Sequence, residues 1–384
     1  MRIKLKDVFE LQIGKTPSRN KSEYWNGVYK WVSISDIGNS RKYVYSTRES
    51  ITDKGIIDSG IKVIPKGTVI MSFKLSIRKI AITTEDMYTN EAIVAFIDKK
   101  KIPIDIDYLY YLCSGSNWMQ GVNKAVMGLT LNKATLSEKE INIPNIKIQK
   151  KCAGNLDKID RIIDLKKQQL DQLDLLVRSL FIEMFGDPIY NSKNWQVVQI
   201  GDIAKDVRYG TSNPAVEGGK YPYLRMNNIT VDGKLDLGDL KYIDISDYEL
   251  EKYVVRKGDL LFNRTNSIEL VGKTTTFDLN EDMIIAGYII RVRLNNQMLP
   301  EVLSQYMNLE VIKSKLRDMA KGAVNQANIN AQELQSIRVY LPDIDIQKKF
   351  VKIKCKLDKS KLAVKKSLEE LEILKKSLMQ KYFA

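Results

Sequence analysis

The chain has 384 residues, 61 Lys and Arg against 47 Asp and Glu, a net charge of +14 and no histidine. Without histidine there is no Ser-His-Asp or Cys-His dyad and no histidine-ligated zinc or haem, which removes the commonest general base and the commonest metal ligand together. Cys113, Cys152 and Cys355 lie far apart with no C-x-x-C spacing, so the chain reads as a reduced, cytoplasmic protein, and its basicity points to an anionic partner, nucleic acid first.

The N-terminus alternates charged and apolar residues where a signal peptide needs an unbroken apolar run, and no stretch approaches the ~18 apolar residues of a membrane span, so no membrane partner is expected. Residues 31–35, 68–73 and 92–97 are short apolar or alternating runs bounded by Gly, Asn, Lys and Asp, which predicts strands, while 108–112 reads as a peripheral helix. From about 155 to 185 there is no Pro or Gly, and Ile159, Ile163, Lys166, Leu170, Leu173, Val177, Leu180 and Met184 alternate spacings of 4 and 3, the seam of a coiled coil. The pattern then starts again. Residues 260–262 and 288–294 predict strands and 302–307 a peripheral helix. In the closing stretch 344–384, Leu357, Lys361, Val364, Leu368, Leu371, Lys375, Leu378 and Tyr382 repeat the seam. Each long helix can run about 30 residues or more, roughly 45 Å.

The two halves match at a nearly constant offset. Leu131-Asn132, Ile143-Pro144, Gln149-Lys150-Lys151 and Ile159-Asp160 recur 198 positions later as Ile329-Asn330, Leu341-Pro342, Gln347-Lys348-Lys349 and Leu357-Asp358. Earlier landmarks drift but survive: the Gly14-Lys15-Thr16 turn answers Gly210-Thr211-Ser212, and Lys66-Gly67 answers Lys257-Gly258. The expected architecture is therefore α/β (α+β). It has a strand-rich domain at 1–145, a helix at 146–190, a second strand-rich domain at 191–343 and a helix at 344–384. The helices are expected to form an antiparallel coiled coil with internal pseudo-two-fold symmetry. Their length could act as a ruler, spacing two DNA-binding units by roughly 35–50 Å, about one to one and a half duplex turns. A coiled coil that merely dimerises two chains is the competing reading.

Catalytic equipment is not recognisable. Gly272-Lys273-Thr274 looks like the tail of a phosphate loop, but Ser267 stands where that loop needs glycine, so a hairpin turn is expected. An adenine-N6 methyltransferase would carry an Asn- or Asp-Pro-Pro-aromatic tetrapeptide, and the chain has no Pro-Pro. Asp343 and Asp345 could serve a nuclease, but aspartates after a strand-ending proline more often cap the next helix. No metal ligand set emerges.

Recognition chemistry is plentiful. In the second half Arg208, Thr211, Arg225, Asn227, Asn228, Asn263, Arg264, Asn266, Lys273, Lys321, Gln326 and Asn328 concentrate side chains suited to base edges and phosphates. The first half offers a different set at comparable places: Lys15, Thr16, Ser33, Ser35, Lys74, Ser76, Arg78, Lys79, Lys124 and Lys133. A repeated frame with unlike polar residues should prefer two different sequences. Charge is uneven as well: residues 344–384 hold 12 Lys against 5 acids, 12 − 5 = +7 of the +14, which suits phosphates, acidic partner surfaces or plain solvation.

These features converge on a family. Two strand-rich units alternating with related helices, the run from Ser179 through Phe185-Gly186-Asp187-Pro188, the Asn194-Trp195 pair and the Leu341-Pro342 to Gln347-Lys348-Lys349 segment resemble the specificity subunit of type I restriction-modification enzymes. Gly322-Ala323-Val324-Asn325-Gln326-Ala327-Asn328-Ile329-Asn330 resembles a segment near the end of that family's recognition domains, from which the counterpart running from Lys124 to Asn132 departs. The resemblance implies that each domain reads one half of a bipartite double-stranded DNA target, and that the helices set the gap between halves and dock two modification (methyltransferase) subunits. S-adenosylmethionine-dependent adenine-N6 methylation would belong to those subunits. Two restriction subunits, where present, would add ATP- and Mg-dependent translocation and cleavage, and this chain would be noncatalytic with no cofactor of its own. Two other readings stay open: a self-contained DNA methyltransferase or nuclease, and a coiled-coil scaffold that binds only proteins.

Overall fold

The computed structural model describes residues 1–73, 79–116, 118, 132–323 and 326–383, with side chains omitted at 321–323. The chain divides into two compact units, Met1–Lys167 with Lys366–Ala384, and Gln168–Lys365. Among the described residues no helix is long and apolar enough to cross a membrane.

The first unit is built on a five-stranded sheet in the order Phe9–Ile13, Ile93–Asp98, Val69–Ser72, Ile80–Thr83, Tyr43–Val44, antiparallel except for the last pair. Val69, Met71, Val94 and Phe96 face one apolar cluster, and Ile70, Ile93 and Ala95 face another. Burial on both faces is why these strands read as unbroken apolar runs instead of alternating. A second sheet, Glu49–Ile51, Trp25–Val32 and Tyr88–Thr89, gathers around Trp31. Arg2–Lys4 pairs with Glu140–Asn142 and joins the two ends of the strand-rich part just before the long helix begins.

The second unit follows the same plan. Ala204–Tyr209, Ile289–Leu294, Leu260–Asn263 and Thr274–Thr276 form an antiparallel sheet, and Lys241–Ile243, Tyr221–Leu224, Met283–Ile285 and Val254–Val255 a mixed one. Gln196–Gln199 pairs with Arg338–Leu341, again closing the domain at the root of a helix. A further small sheet, Thr265–Asn266, Gln326–Asn328 and Lys321–Ala323, is described here.

The long helices are Ile146–Phe185 and Ile344–Phe383, 40 residues each; the first is longer than its Pro- and Gly-free window, with Gly154 inside it and open space beside that glycine. Their roots are held identically. The buried Gln149 side chain donates to the Pro103 and Pro144 carbonyls (3.0 and 2.9 Å) and accepts the Asp105 amide (2.8 Å). Gln347, 198 positions later, donates to Gln297 and Pro342 and accepts the Leu299 amide, each at 2.8 Å. A fully buried amide that meets three backbone groups ties each helix to its own domain and leaves nothing unsatisfied.

Within each unit the helices run antiparallel. In the first, Asn155 bonds Tyr382 at 3.3 Å and Lys375 pairs with Asp160 at 2.5 Å; in the second, Lys361 pairs with Asp174 at 2.6 Å and Phe350 packs on Phe181 and Phe185 with ring centroids 5.4 and 5.3 Å apart. Seam residues Ile159, Ile163, Val177, Lys361 and Val364 are buried, and Leu170, Leu173, Leu180, Leu357, Leu368, Leu371 and Leu378 half-buried, while most intervening positions are exposed. The seam lysines Lys361 and Lys375 are tolerated because each ammonium finds a carboxylate.

Two expectations need correction. Residues 33–35 are not strand: Ser33 caps the helix Ile34–Asn39, accepting the Asp36 amide while Asp36 accepts the Ser33 amide, a reciprocal capping box that ends the strand at Val32. The helices Ile106–Gly115 and Pro300–Met307 are not peripheral, since Tyr108, Leu109, Tyr111 and Leu112, and Val302, Leu303 and Met307, lie in the main apolar clusters.

Candidate nucleic-acid interface

A repeated glycine turn places equivalent loops in the two units. Gly14 donates to Ile93 and Lys15 to the Thr89 carbonyl; Gly210 donates to Ile289 and Thr211 to Ile285. A Cβ on Gly14 would stand 2.1 Å from the Thr89 oxygen, and one on Gly210 2.2 Å from the Ile285 oxygen, so only glycine permits this close backbone approach. Beyond it the sequences diverge. The first unit presents Lys15, whose ammonium bonds the Ser59 carbonyl, and Thr16, whose hydroxyl bonds Glu91. The second presents the exposed stretch from Ser212 to Gly218.

In the second unit Arg208 is exposed and donates to Asp206 at 2.8 Å. Asp206 also takes the Arg291 guanidinium at 2.6 Å. Burial works against its charge, but these two hydrogen bonds prevail and hold its carboxyl below the usual aspartate range. Arg225 bridges to Asp239 at 2.8 Å, and Asn227 is exposed beside it. Arg264 lies over the Tyr209 ring, 4.8 Å from its centroid. Next to it Asn266 donates to the Asn263 side chain (2.8 Å) and Asn328 accepts the Thr265 hydroxyl (2.9 Å), with Gln326 exposed on the paired strand.

Four residues expected on the surface are inside. Asn263 donates to the Thr265 and Tyr288 carbonyls, Asn228 accepts the Arg225 amide and donates to Asp236, and Thr211 accepts the Asn213 amide. Lys273 is buried with its ammonium on the Met226 and Ile229 carbonyls, and burial, then the charge of Lys313, pushes its pKa down. These side chains brace loops instead of projecting outward, and Lys273 sits in the connection between the paired strands Leu260–Asn263 and Thr274–Thr276, not in a phosphate cradle. In the first unit Ser33 is committed to its helix cap and to Ser35 (2.7 Å), the side chain of Lys79 lies against Gly38, and Lys133 is exposed at the start of the helix Lys133–Ser137. Lys74, Ser76, Arg78 and Lys124 lie outside the described residues, as does the side chain of Lys321.

The structure also brings forward residues that sequence reasoning passed over. Tyr209 and Tyr288 are large, exposed and close to Arg264 in the chain topology. In the first unit Arg19 stacks on Trp25 at 3.9 Å and Trp31 at 5.0 Å while pairing with Glu49. The exposed aromatic beside an arginine at Arg208-Tyr209 was the available signal. Elsewhere the first domain grips its helix through charge: Lys42 meets Asp107 and Asp157 at 2.9 and 2.5 Å, and the Tyr111 hydroxyl lies 2.8 and 2.9 Å from Asp157 and Asp160. Burial opposes the Lys42 charge, but the two carboxylates raise its pKa; burial and the same acids drive the Tyr111 phenol strongly upward.

The type I restriction modification DNA specificity domain matches residues 1–175 and 192–373. The type I restriction enzyme MjaIX specificity subunit of Methanocaldococcus jannaschii is 30% identical over 275 residues, 65% of this chain and 63% of that one. The chain matches less than two thirds of the length of the curated relatives it resembles. Among solved structures, a chain from work on complex assembly and conformational transition of the type I R-M system superposes with a TM-score of 0.66 at 18% identity, covering 100% of this chain and 97% of that one. The type I restriction-modification system S subunit from M. genitalium does so with 0.58 at 15% identity, covering 100% and 96%. At such identities these likenesses establish the fold alone.

Proposed function

The chain belongs to the type I restriction modification DNA specificity family, and from that premise we propose that it is the noncatalytic subunit that chooses where a DNA-modifying complex acts. Each strand-rich domain reads one half of a bipartite duplex target. The observation that carries this reading is one scaffold built twice with unlike polar surfaces at matching turns: Lys15 and Thr16 after Gly14, and the exposed run from Ser212 to Gly218 after Gly210. A net charge of +14 supports phosphate contact along both half-sites.

The long helices dock two modification subunits in this reading. Its support is the apolar side chains left exposed off the seam, among them Leu165, Leu175 and Leu176 on one helix and Leu362, Ile373 and Leu374 on the other, which give both helices apolar surface for a partner to cover. S-adenosylmethionine belongs to those subunits, and ATP and Mg to restriction subunits where they are present. The chain works in the cytoplasm, where the DNA is.

The test is co-expression of the chain with its modification subunit, followed by mapping of N6-methyladenine in host DNA. The proposal expects one two-part motif with a constant gap. Methylation by the chain alone, or a stable complex that methylates no defined motif, would defeat it.

A further inference from the structure

Arg264 differs from its neighbours. Among the described residues of the second strand-rich domain, the half-buried arginines Arg225, Arg256, Arg293 and Arg317, and the buried Arg291, each meet a carboxylate. Half-buried Arg264 meets none. Its Nε is buried with no hydrogen-bond partner among those residues, as are those of Arg225 and Arg291, but the latter two have a carboxylate on a terminal nitrogen and Arg264 has none, a costly state for a guanidinium unless a partner arrives from outside.

Its position is nonetheless fixed. The Arg264 amide donates to the Tyr288 carbonyl and its own carbonyl accepts the Ile329 amide, both at 2.9 Å. The guanidinium lies 4.8 Å from the centroid of the Tyr209 ring, and the Tyr209 hydroxyl is tethered by the Ala331 amide at 2.7 Å. A planar cation held on an aromatic face keeps its fork of donors in one orientation, so little freedom is lost when it binds. The adjoining strand pair carries amides, Asn266, Gln326 and Asn328, which suit base edges more than phosphates. Counted from the preceding Lys-Gly turns, the equivalent position in the first domain is Phe73, buried in the core. Among the described residues the feature is private to the second domain.

We propose that Arg264 reads a guanine in the half-site of the second domain, donating to O6 and N7 while Tyr209 holds its plane. This rests on the specificity reading above and names one of its contacts.

The experiment maps N6-methyladenine in hosts carrying the modification subunit with the wild-type chain, Arg264→Ala or Arg264→Gln, and measures binding of each purified complex to the wild-type motif across salt concentrations. A motif from the wild-type complex establishes the specificity reading independently, and its absence sinks both. With a motif in hand, the expected result is loss of a guanine requirement at one position of one half-site in the alanine variant. The glutamine variant should drift toward adenine there, and cognate binding should weaken roughly 5- to 150-fold, with the other half-site and the gap unchanged. Should the alanine variant fail to fold, the glutamine variant carries the test. A half-site without guanine, or an unaltered motif in both variants, overturns the inference. So does weakened binding with the salt slope reduced by about one and the methylated motif unchanged, which marks a phosphate contact.

Discussion

Replacing Gln347 by Met keeps the volume of a fully buried side chain and removes its hydrogen bonds. The Gln297 and Pro342 carbonyls and the Leu299 amide each lose a partner 2.8 Å away. Three bonds at about 1 kcal/mol net each, with the stranded groups shut away from water, amount to about 3–5 kcal/mol. The damage should be local, because Gln347 joins the first turn of the C-terminal helix to the loop before Pro300–Met307. Hydrogen exchange of amides at 344–352 should therefore accelerate by about 150-fold or more where opening is local, while amides around Gln149 keep wild-type rates. Gln149→Met should produce the mirror result at the root of the first helix, and since the two residues share no partner the losses should add. Exchange at 344–352 within about threefold of wild type would refute the claim that this amide anchors the helix.

Other consequences follow from single contacts. Asp206→Asn removes the carboxylate bonded to the buried Arg291 guanidinium, leaving it the unbonded charge of Asp259, and should cost about 3 kcal/mol at neutral pH in chemical denaturation. Because the folded Asp206 carboxyl titrates below its ordinary 3.8, the wild-type advantage is present above that value and lost as pH falls below it; a gap that persists undiminished in strong acid contradicts the assignment. Lys361→Met should leave thermal stability equal or higher, since an apolar residue suits the seam, whereas Asp174→Ala leaves the buried Lys361 ammonium only Asp358, 3.7 Å away, and should cost about 1–3 kcal/mol. The reverse ranking would show that the ion pair, not the packing, holds the helices. In the Arg264 variants the motif should change at one position of one half-site.

Periodic features were legible in the sequence and specific polar partnerships were not. The seam from Ile159 to Met184 is visible because a 4-3 spacing is a property of one helix, and Val69–Ser72 and Ile93–Asp98 announce themselves because both faces are buried. Val32-Ser33-Ile34-Ser35 alternates like a strand, yet Ser33 and Asp36 close a capping box; the local pattern fits either state and the reciprocal hydrogen bonds decide. Asn228, Asn263 and Lys273 belong to the residue types that read DNA, but their partners are backbone carbonyls at Asp236, Tyr288 and Met226, which have no side-chain signature. Gln149 and Gln347 were visible as a repeat and silent as to purpose for the same reason. What separates Arg264 from the other buried and half-buried arginines described in its domain is the lack of a carboxylate, a fact that exists only once the chain is folded.

The most direct test of the central claim is to exchange residues 191–343 for the corresponding domain of a family relative with a different target, leave both long helices intact, and map methyladenine in the host. The account predicts a motif in which one half-site is replaced by that of the donor while the other half-site and the gap stay as they were. A motif altered in both halves, or unaltered in either, would contradict recognition by two independent domains.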